Sequence, residues 1–293
     1  MNDKEIKQLY ESQLAVWDDF RTRVAQLEDV EWKTFDFGTF KIKAQFNPAR
    51  AVSSNAKLDK ASIAKRKCFL CQENQPEIQE KLTLNDRFSL LINPFPILHE
   101  HFTLPLNRHK EQEIKPYIAD LLDFTQRMPN HTLLYNGPQC GASAPDHIHF
   151  QAVKRGQIPF EKEYKQLGRK RILGDDQAHA EELLDFGRKC IVIESSSPKE
   201  VEQLFLQIYQ QYQEGTEEPK WNIFSLYEDN AWHLFLFMRK THRPTQFFAE
   251  GGDYMMISPG AIDIAGVFVL PRREDFDRIN KEIIEDVLKQ VSL

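Results

Sequence analysis

The sequence predicts an α+β fold, a mainly antiparallel sheet with helical crossovers, and three observations carry that expectation. Short runs alternating apolar and polar residues recur along the chain, separated by Gly, Asn-Pro or Gly-rich corners. Helical stretches with recognisable starts and stops fall between some of these runs. A late segment, Asn222 to His242, reads as a second pass through the strand pair at 87–109. Both place Phe-Ser-Leu in the first strand, and both end on a basic residue shortly before a histidine. This hint of an internal repeat suggests two diverged halves.

Taken in order, residues 5–28 read as an amphipathic helix with Ile6, Leu9, Leu14, Val16 and Phe20 on its apolar side. "WKTFDFGTFKIKAQF" alternates as two strands joined at a glycine turn, and 47–67 is polar and irregular. "RFSLLINPFPILHEHFTLPL" gives two strands broken by Asn93-Pro94 and Pro96. Pro116 opens a helix bearing Ile118, Leu121, Leu122 and Phe124. "HTLLYN" and "HIHFQAV" are strands with a Gly-rich corner between them. Pro159 to Arg188 reads as helical and "CIVIES" as a strand. The best-marked helix follows: Ser197 as N-cap, Pro198 at N1, Glu200 completing a capping box, Gly215 ending it. Its buried stripe is Val201, Leu204, Phe205, Ile208 and Tyr212. "REDFDRINKEIIEDVLKQVSL" reads as a solvated terminal helix. The expected divisions are a helical segment at 1–34, a first half at 35–158 carrying the chemistry, an insertion at 159–220, and a diverged second half with the terminal helix at 221–293.

Of the 293 residues, 41% are hydrophobic and 28% charged, enough apolar material for a sizeable core in one large or two small domains. A net charge of −6 argues against a general nucleic-acid binder. The start "MNDKEIKQLY" lacks the apolar region of a signal peptide, and no apolar run is long enough to span a membrane, so a cytoplasmic location is expected. Cys68 and Cys71 form a C-x-x-C, which in a reducing compartment suggests a metal half-site or a redox pair.

The chemistry concentrates in "YNGPQCGASAPDHIHFQAV", Tyr135 to Val153. Strand alternation puts His147, His149 and Gln151 on one face. The preceding Gly141-Ala142-Ser143 corner can offer backbone N–H groups to an anion. A neutral imidazole beside such a corner can attack phosphorus and form a phosphoramidate. Gln151 can hold a phosphate oxygen but cannot supply a proton, so the leaving group should be one that departs as an anion.

These residues resemble the active-site signature of the histidine-triad superfamily. The similarity is greatest to the branch of galactose-1-phosphate uridylyltransferases, diadenosine tetraphosphate phosphorylases and GDP-hexose phosphorylases. "INPFPILHEHFTLPLNRH", "QFNPAR" and "ISPGAIDIAGVFVLPRRED" resemble further elements of that branch, covering roughly 40–153 well and 220–276 loosely. The resemblance implies a histidine-triad-like fold, His149 as nucleophile and Gln151 as phosphate ligand. It also implies a structural Zn2+ held by Cys68, Cys71, His109 and His147. The loop Ala144–Asp146 differs in length from those of the branch, which leaves the nucleotide base open.

Asn47, Arg50 and Lys57 are candidate substrate contacts, because guanidinium matches phosphate. Asn136 is expected to cap the turn leading to Gly141, Ala142 and Ser143. His99 and His101 read as half-exposed strand residues. The expectation is a nucleotidyltransferase or phosphorylase taking a small-molecule nucleotide and a phosphate or sugar phosphate, without nucleic acid or membrane partners, and compatible with a homodimer. Two other classes compete: an inactive nucleotide binder, and a zinc-stabilised interaction module.

Overall fold

The computed structural model of the chain describes residues 2–51 and 60–293. It opens with α1 (Asp3–Val16) and α2 (Asp18–Ala25), separated at Trp17, whose φ of −106° and ψ of 94° break the single helix expected here. Ile6, Leu9 and Phe20 are buried, whereas Val16 sits at the break and is 49% exposed. Strands β1 (Glu31–Asp36) and β2 (Lys41–Phe46) form the expected hairpin around Gly38, which has a φ of +89°. A short helix α3 (Lys60–Lys65) precedes β3 (Lys81–Thr83), β4 (Ser89–Ile92) and β5 (Phe102–Pro105). Helix α4 (Ile118–Arg127) then leads to β6 (His131–Asn136) and β7 (His149–Lys154).

Only residues 160–166 of the next stretch are helical, as α5 (Phe160–Glu163) and a following short turn. The helix expected over Pro159–Arg188 is instead an edge hairpin, β8 (Arg169–Gly174) and β9 (Ala178–Leu183). Opposite charges face each other across it, Lys170 to Glu182 and Arg171 to Glu181. Such cross-strand pairs stabilise a ladder that the charged sequence disguises. Next come β10 (Cys190–Ser195), α6 (Pro198–Tyr212), β11 (Trp221–Glu228) and β12 (Ala231–Met238). Ser197 caps α6 as expected, but the reciprocal bond from Glu200 is replaced: its carboxylate takes the hydroxyl of Ser195, whose oxygen accepts from Ser197 N–H. The chain ends with α7 (Ala261–Ala265), β13 (Val267–Leu270), α8 (Arg273–Arg278) and α9 (Lys281–Val291).

Ten strands form one sheet in the order β3-β4-β5-β7-β6-β11-β12-β10-β9-β8, and every pairing in it is antiparallel. Read inward from its two edges, the sheet repeats one topology. β3-β4-β5-β7-β6 matches β8-β9-β10-β12-β11, with α4 and α6 in equivalent crossovers. Residues 222–242 are therefore the counterpart of 131–154 rather than of 87–109; the shared Phe-Ser-Leu reflects two buried strands of like composition. Residues 159–220, set apart in the sequence, supply three strands of this same sheet.

One face of the sheet packs against α1, α2, α4 and α6 through residues such as Phe20, Phe124, Phe150 and Phe205. The other carries the small sheet β1-β2-β13 with α5, α7, α8 and α9. Among the described residues no helix is long and apolar enough to cross a membrane. The C-terminal helix is not a solvated appendage. Ile284, Val287, Leu288 and Val291 are buried, and Lys240 N–H donates to the carbonyl of Val291. Leu288→Ala should therefore cost about 2–5 kcal/mol, read as a lowered midpoint in chemical denaturation; a change within ±0.5 kcal/mol would mark the helix as loosely attached.

Candidate active site and metal centre

A cleft opens on the small-sheet side, where the two halves meet. Asn136, Gly141, Ser143 and Gln151 line it from the first half. His242, Arg243, Ser258, Gly260 and Asp263 face them from the second, and Arg50 closes one side. The corner before β7 is shaped by close approach. Gly141 has a φ of +101°, and a side chain there would come within 2.8 Å of the Gly260 Cα. Only glycine meets both demands. Among the described residues nothing accepts from the N–H groups of Gly141, Ala142 or Ser143, and of these three Gly141 and Ser143 line the cleft.

His149 is 3% exposed and lies next to the cleft-lining residues on β7. Its Nδ1 lies 2.8 Å from the carbonyl oxygen of His147. A carbonyl only accepts, so Nδ1 carries the proton and Nε2 the free electron pair. Nε2 has no hydrogen-bond partner among the described residues and is not one of the sealed, unpartnered nitrogens. Burial holds the imidazole down to about 4, so it is neutral at physiological pH.

Gln151 is oriented by His101, a residue read from the sequence as half-exposed but in fact 1% exposed. Ile97 N–H donates to His101 Nδ1 at 3.2 Å, so His101 Nε2 carries the proton. That nitrogen lies 2.8 Å from Gln151 Oε1. With its oxygen engaged, Gln151 presents its NH2 donors to the cleft. His99 is half-exposed, as expected, and lies near Glu28.

The remaining sequence-derived residues divide. Arg50 lines the cleft and donates to the carbonyl of Phe95 at 2.7 Å; burial lowers it to about 10, still a cation at neutral pH. Asn136 does not cap its own turn. Its Oδ1 accepts from Ala261 N–H at 2.7 Å and from Asn222 at 2.8 Å, tying the two halves together beneath Gly141. Asn47 is buried with its amide on Gln45, and neither it nor the buried Ala142 is among the cleft-lining residues. Lys57 lies outside the described residues. Reading by motif also missed Arg66, which holds Asp146 at 2.6 Å and the carbonyl of Ser143 at 3.3 Å.

Cys68, Cys71, His109 and His147 converge, their ligand atoms all within 4.8 Å of one another. His147 Nδ1 is 3.2 Å from Cys68 Sγ and 3.6 Å from Cys71 Sγ, and His109 Nδ1 is 3.2 Å from Cys71 Sγ. A tetrahedral ion at usual Zn–S and Zn–N lengths would set these edges at about 3.3–3.8 Å. His147 Nε2 lies 2.8 Å from the carbonyl of Leu106, which fixes the ring and leaves Nδ1 to face the sulfurs. Burial and the neighbouring Cys68 push the Cys71 thiol up to about 11, so this sulfur needs a cation to become a thiolate. The donor set fits a metal ion with four protein ligands. A second group, His179, Glu181 and Glu194, does not compare. Arg169 Nη1 lies 2.6 Å from Glu194 and 3.4 Å from Glu181, already filling the cation's place.

Replacing Gly141 by alanine should lower stability by about 1–3 kcal/mol through the left-handed backbone alone, with weaker anion binding. Denaturation and phosphate titration would read both, and an unchanged midpoint would show that the turn can relax.

Residues 9–154 match the family model of a domain of unknown function, DUF4922, and residues 163–293 match the GDPGP1-like C-terminal domain. No curated protein matches the sequence. Among solved structures, yeast Ap4A phosphorylase Apa2 aligns with a TM-score of 0.62 at 16% identity, over 94% of this chain and 96% of that one. The same yeast enzyme in complex with AMP gives 0.61 at 18% identity, over 100% and 98%. Its complex with Ap4A gives 0.57 at 17%, over 94% and 96%. The chain therefore shares the fold of yeast Ap4A phosphorylase over nearly its whole length, and its second part matches the GDPGP1-like C-terminal domain.

Proposed function

We propose that the chain is a nucleotidyltransferase of the phosphorylase type, acting on a nucleoside diphosphate hexose or a dinucleoside polyphosphate through a nucleotidyl-histidine. The observation that carries this reading is the tautomer of His149, whose Nδ1 proton is given to the His147 carbonyl so that Nε2 is a bare nucleophile. Nε2 attacks the α-phosphorus and a nitrogen–phosphorus bond forms. The bond from phosphorus to the bridging oxygen breaks, and its electron pair leaves with the phosphate-bearing group. No proton is needed at that oxygen, which suits Gln151, a donor of hydrogen bonds but not of protons. In the second half-reaction an oxygen of inorganic phosphate attacks the same phosphorus, and the pair of the broken nitrogen–phosphorus bond returns to Nε2. The Gly141–Ser143 donors and the Gln151 amide hold the non-bridging oxygens in both steps.

The lean toward phosphate as acceptor is supported by the GDPGP1-like second part and by the likeness to an Ap4A phosphorylase. Incubation with ADP-, GDP- and UDP-hexoses and with diadenosine tetraphosphate, each with and without phosphate, tests it. One donor should be consumed only when phosphate is present, releasing a nucleoside diphosphate, and His149→Asn should lose at least a thousandfold in rate. If every donor persists unchanged, the reading fails.

The ion at Cys68, Cys71, His109 and His147 is proposed to be zinc. With four protein ligands it has no open position, and it would fix the segment before β7 against the N-terminal loop. Elemental analysis should find one zinc per chain. Cys71→Ser should lose it and lower the melting temperature, whereas a metal-free protein of full stability would refute the assignment.

A further inference from the structure

The ladder between β6 and β7 stops beside the nucleophile. Leu134 pairs with Gln151, and the register then brings Asn136 opposite His149, where the next rung would fall. The strands do not make that rung themselves. Asn136 stays on β11 opposite Asn222, His149 stays on β5 opposite Pro105, and the side chain of Gln112 lies between them. His149 N–H donates to Gln112 Oε1 at 2.9 Å, while Gln112 Nε2 donates to the carbonyl of Asn136 at 2.9 Å and to that of His149 at 3.2 Å. One primary amide thus replaces the rung, and the sheet opens there by its width.

The amide is held rigidly. Gln112 is 3% exposed, and its own N–H donates to the carbonyl of Pro145 at 3.0 Å. Two residues earlier the carbonyl of Lys110 takes Ile148 N–H at 2.7 Å; two residues later Ile114 N–H donates to Glu218 at 2.6 Å. We infer that Gln112 is a positioning residue for nucleotidyl transfer: it keeps His149 and Asn136 one amide apart so that the nucleophile and the Gly141 turn address the same phosphorus. This rests on the function proposed above. The role needs an acceptor and a donor in one planar group of this length. Ionised glutamate keeps the acceptor but turns a carboxylate toward two carbonyl oxygens, and methionine fills the volume with neither.

Gln112→Glu and Gln112→Met, compared with the wild-type chain at pH 8, test it. With the donor that the wild-type chain consumes, both variants should lose about a hundredfold in kcat while KM moves less than threefold. The His149 backbone amide, protected in the wild-type chain, should exchange at least tenfold faster in Gln112→Met by 15N NMR. A folded Gln112→Met variant with kcat within threefold of wild type, or with that amide still protected, would overturn the inference. If the wild-type chain consumes no donor, the functional reading fails, and the exchange measurement alone decides whether Gln112 holds the strand.

Discussion

The carbonyl of His147 accepts the Nδ1 proton of His149 at 2.8 Å, and the chemistry of the site depends on where that carbonyl is held. His147 is fixed from two sides. Its Nε2 is tied to the Leu106 carbonyl on the neighbouring chain segment, and its Nδ1 faces the sulfurs of Cys68 and Cys71. One residue therefore joins the cysteine loop, the segment following β5 and the nucleophile. Without that carbonyl acceptor, the His149 ring would be free to carry its proton on Nε2 instead. In the proposed reaction the four-ligand set would act on reactivity without touching a substrate, by fixing a tautomer two residues away.

The second half serves the site from behind. Arg239 is 2% exposed, and among the described residues no carboxylate accepts a hydrogen bond from it. Its guanidinium donates to the carbonyls of Thr241, His242, Pro259 and Val291 and to the side chain of Asn222. Asn222 continues to Asn136 and to the carbonyl of Cys140. A buried cation satisfied only by neutral oxygens is costly unless every donor is placed. Here its placement fixes the loop that forms the far wall of the cleft. The duplicated half has become a scaffold, with Phe235 and Phe237 of β12 buried in the core on the small-sheet side.

Much of this was legible in the sequence because it follows short-range rules. Alternation marks β1 and β2, apolar runs between turn residues mark β4 and β6, and capping chemistry marks α6. His149, Gln151 and the four metal-ligand candidates stand out through spacing and resemblance, and the fold brings the latter four together. The misses share a cause. Gln112 sits in the polar run "RHKEQEIKP", where nothing local separates it from a surface glutamine. His101 looked half-exposed because its burial comes from β7 and the turn at Ile97, neither visible from its own strand. The hairpin β8–β9 reads as helix in the sequence because its charges pair across strands rather than along one. The repeat was recognised but placed one hairpin too early, since strand composition repeats more readily than topology does.

The central claim is that His149 Nε2 becomes covalently bound to phosphorus. Intact-protein mass spectrometry after rapid mixing with each nucleotide donor, without phosphate, tests it most directly. The expected result is a gain of one nucleoside monophosphate on the wild-type chain, stable to base, labile to acid and absent from His149→Asn. Donor turnover with no adduct, or an adduct that persists in His149→Asn, would contradict it.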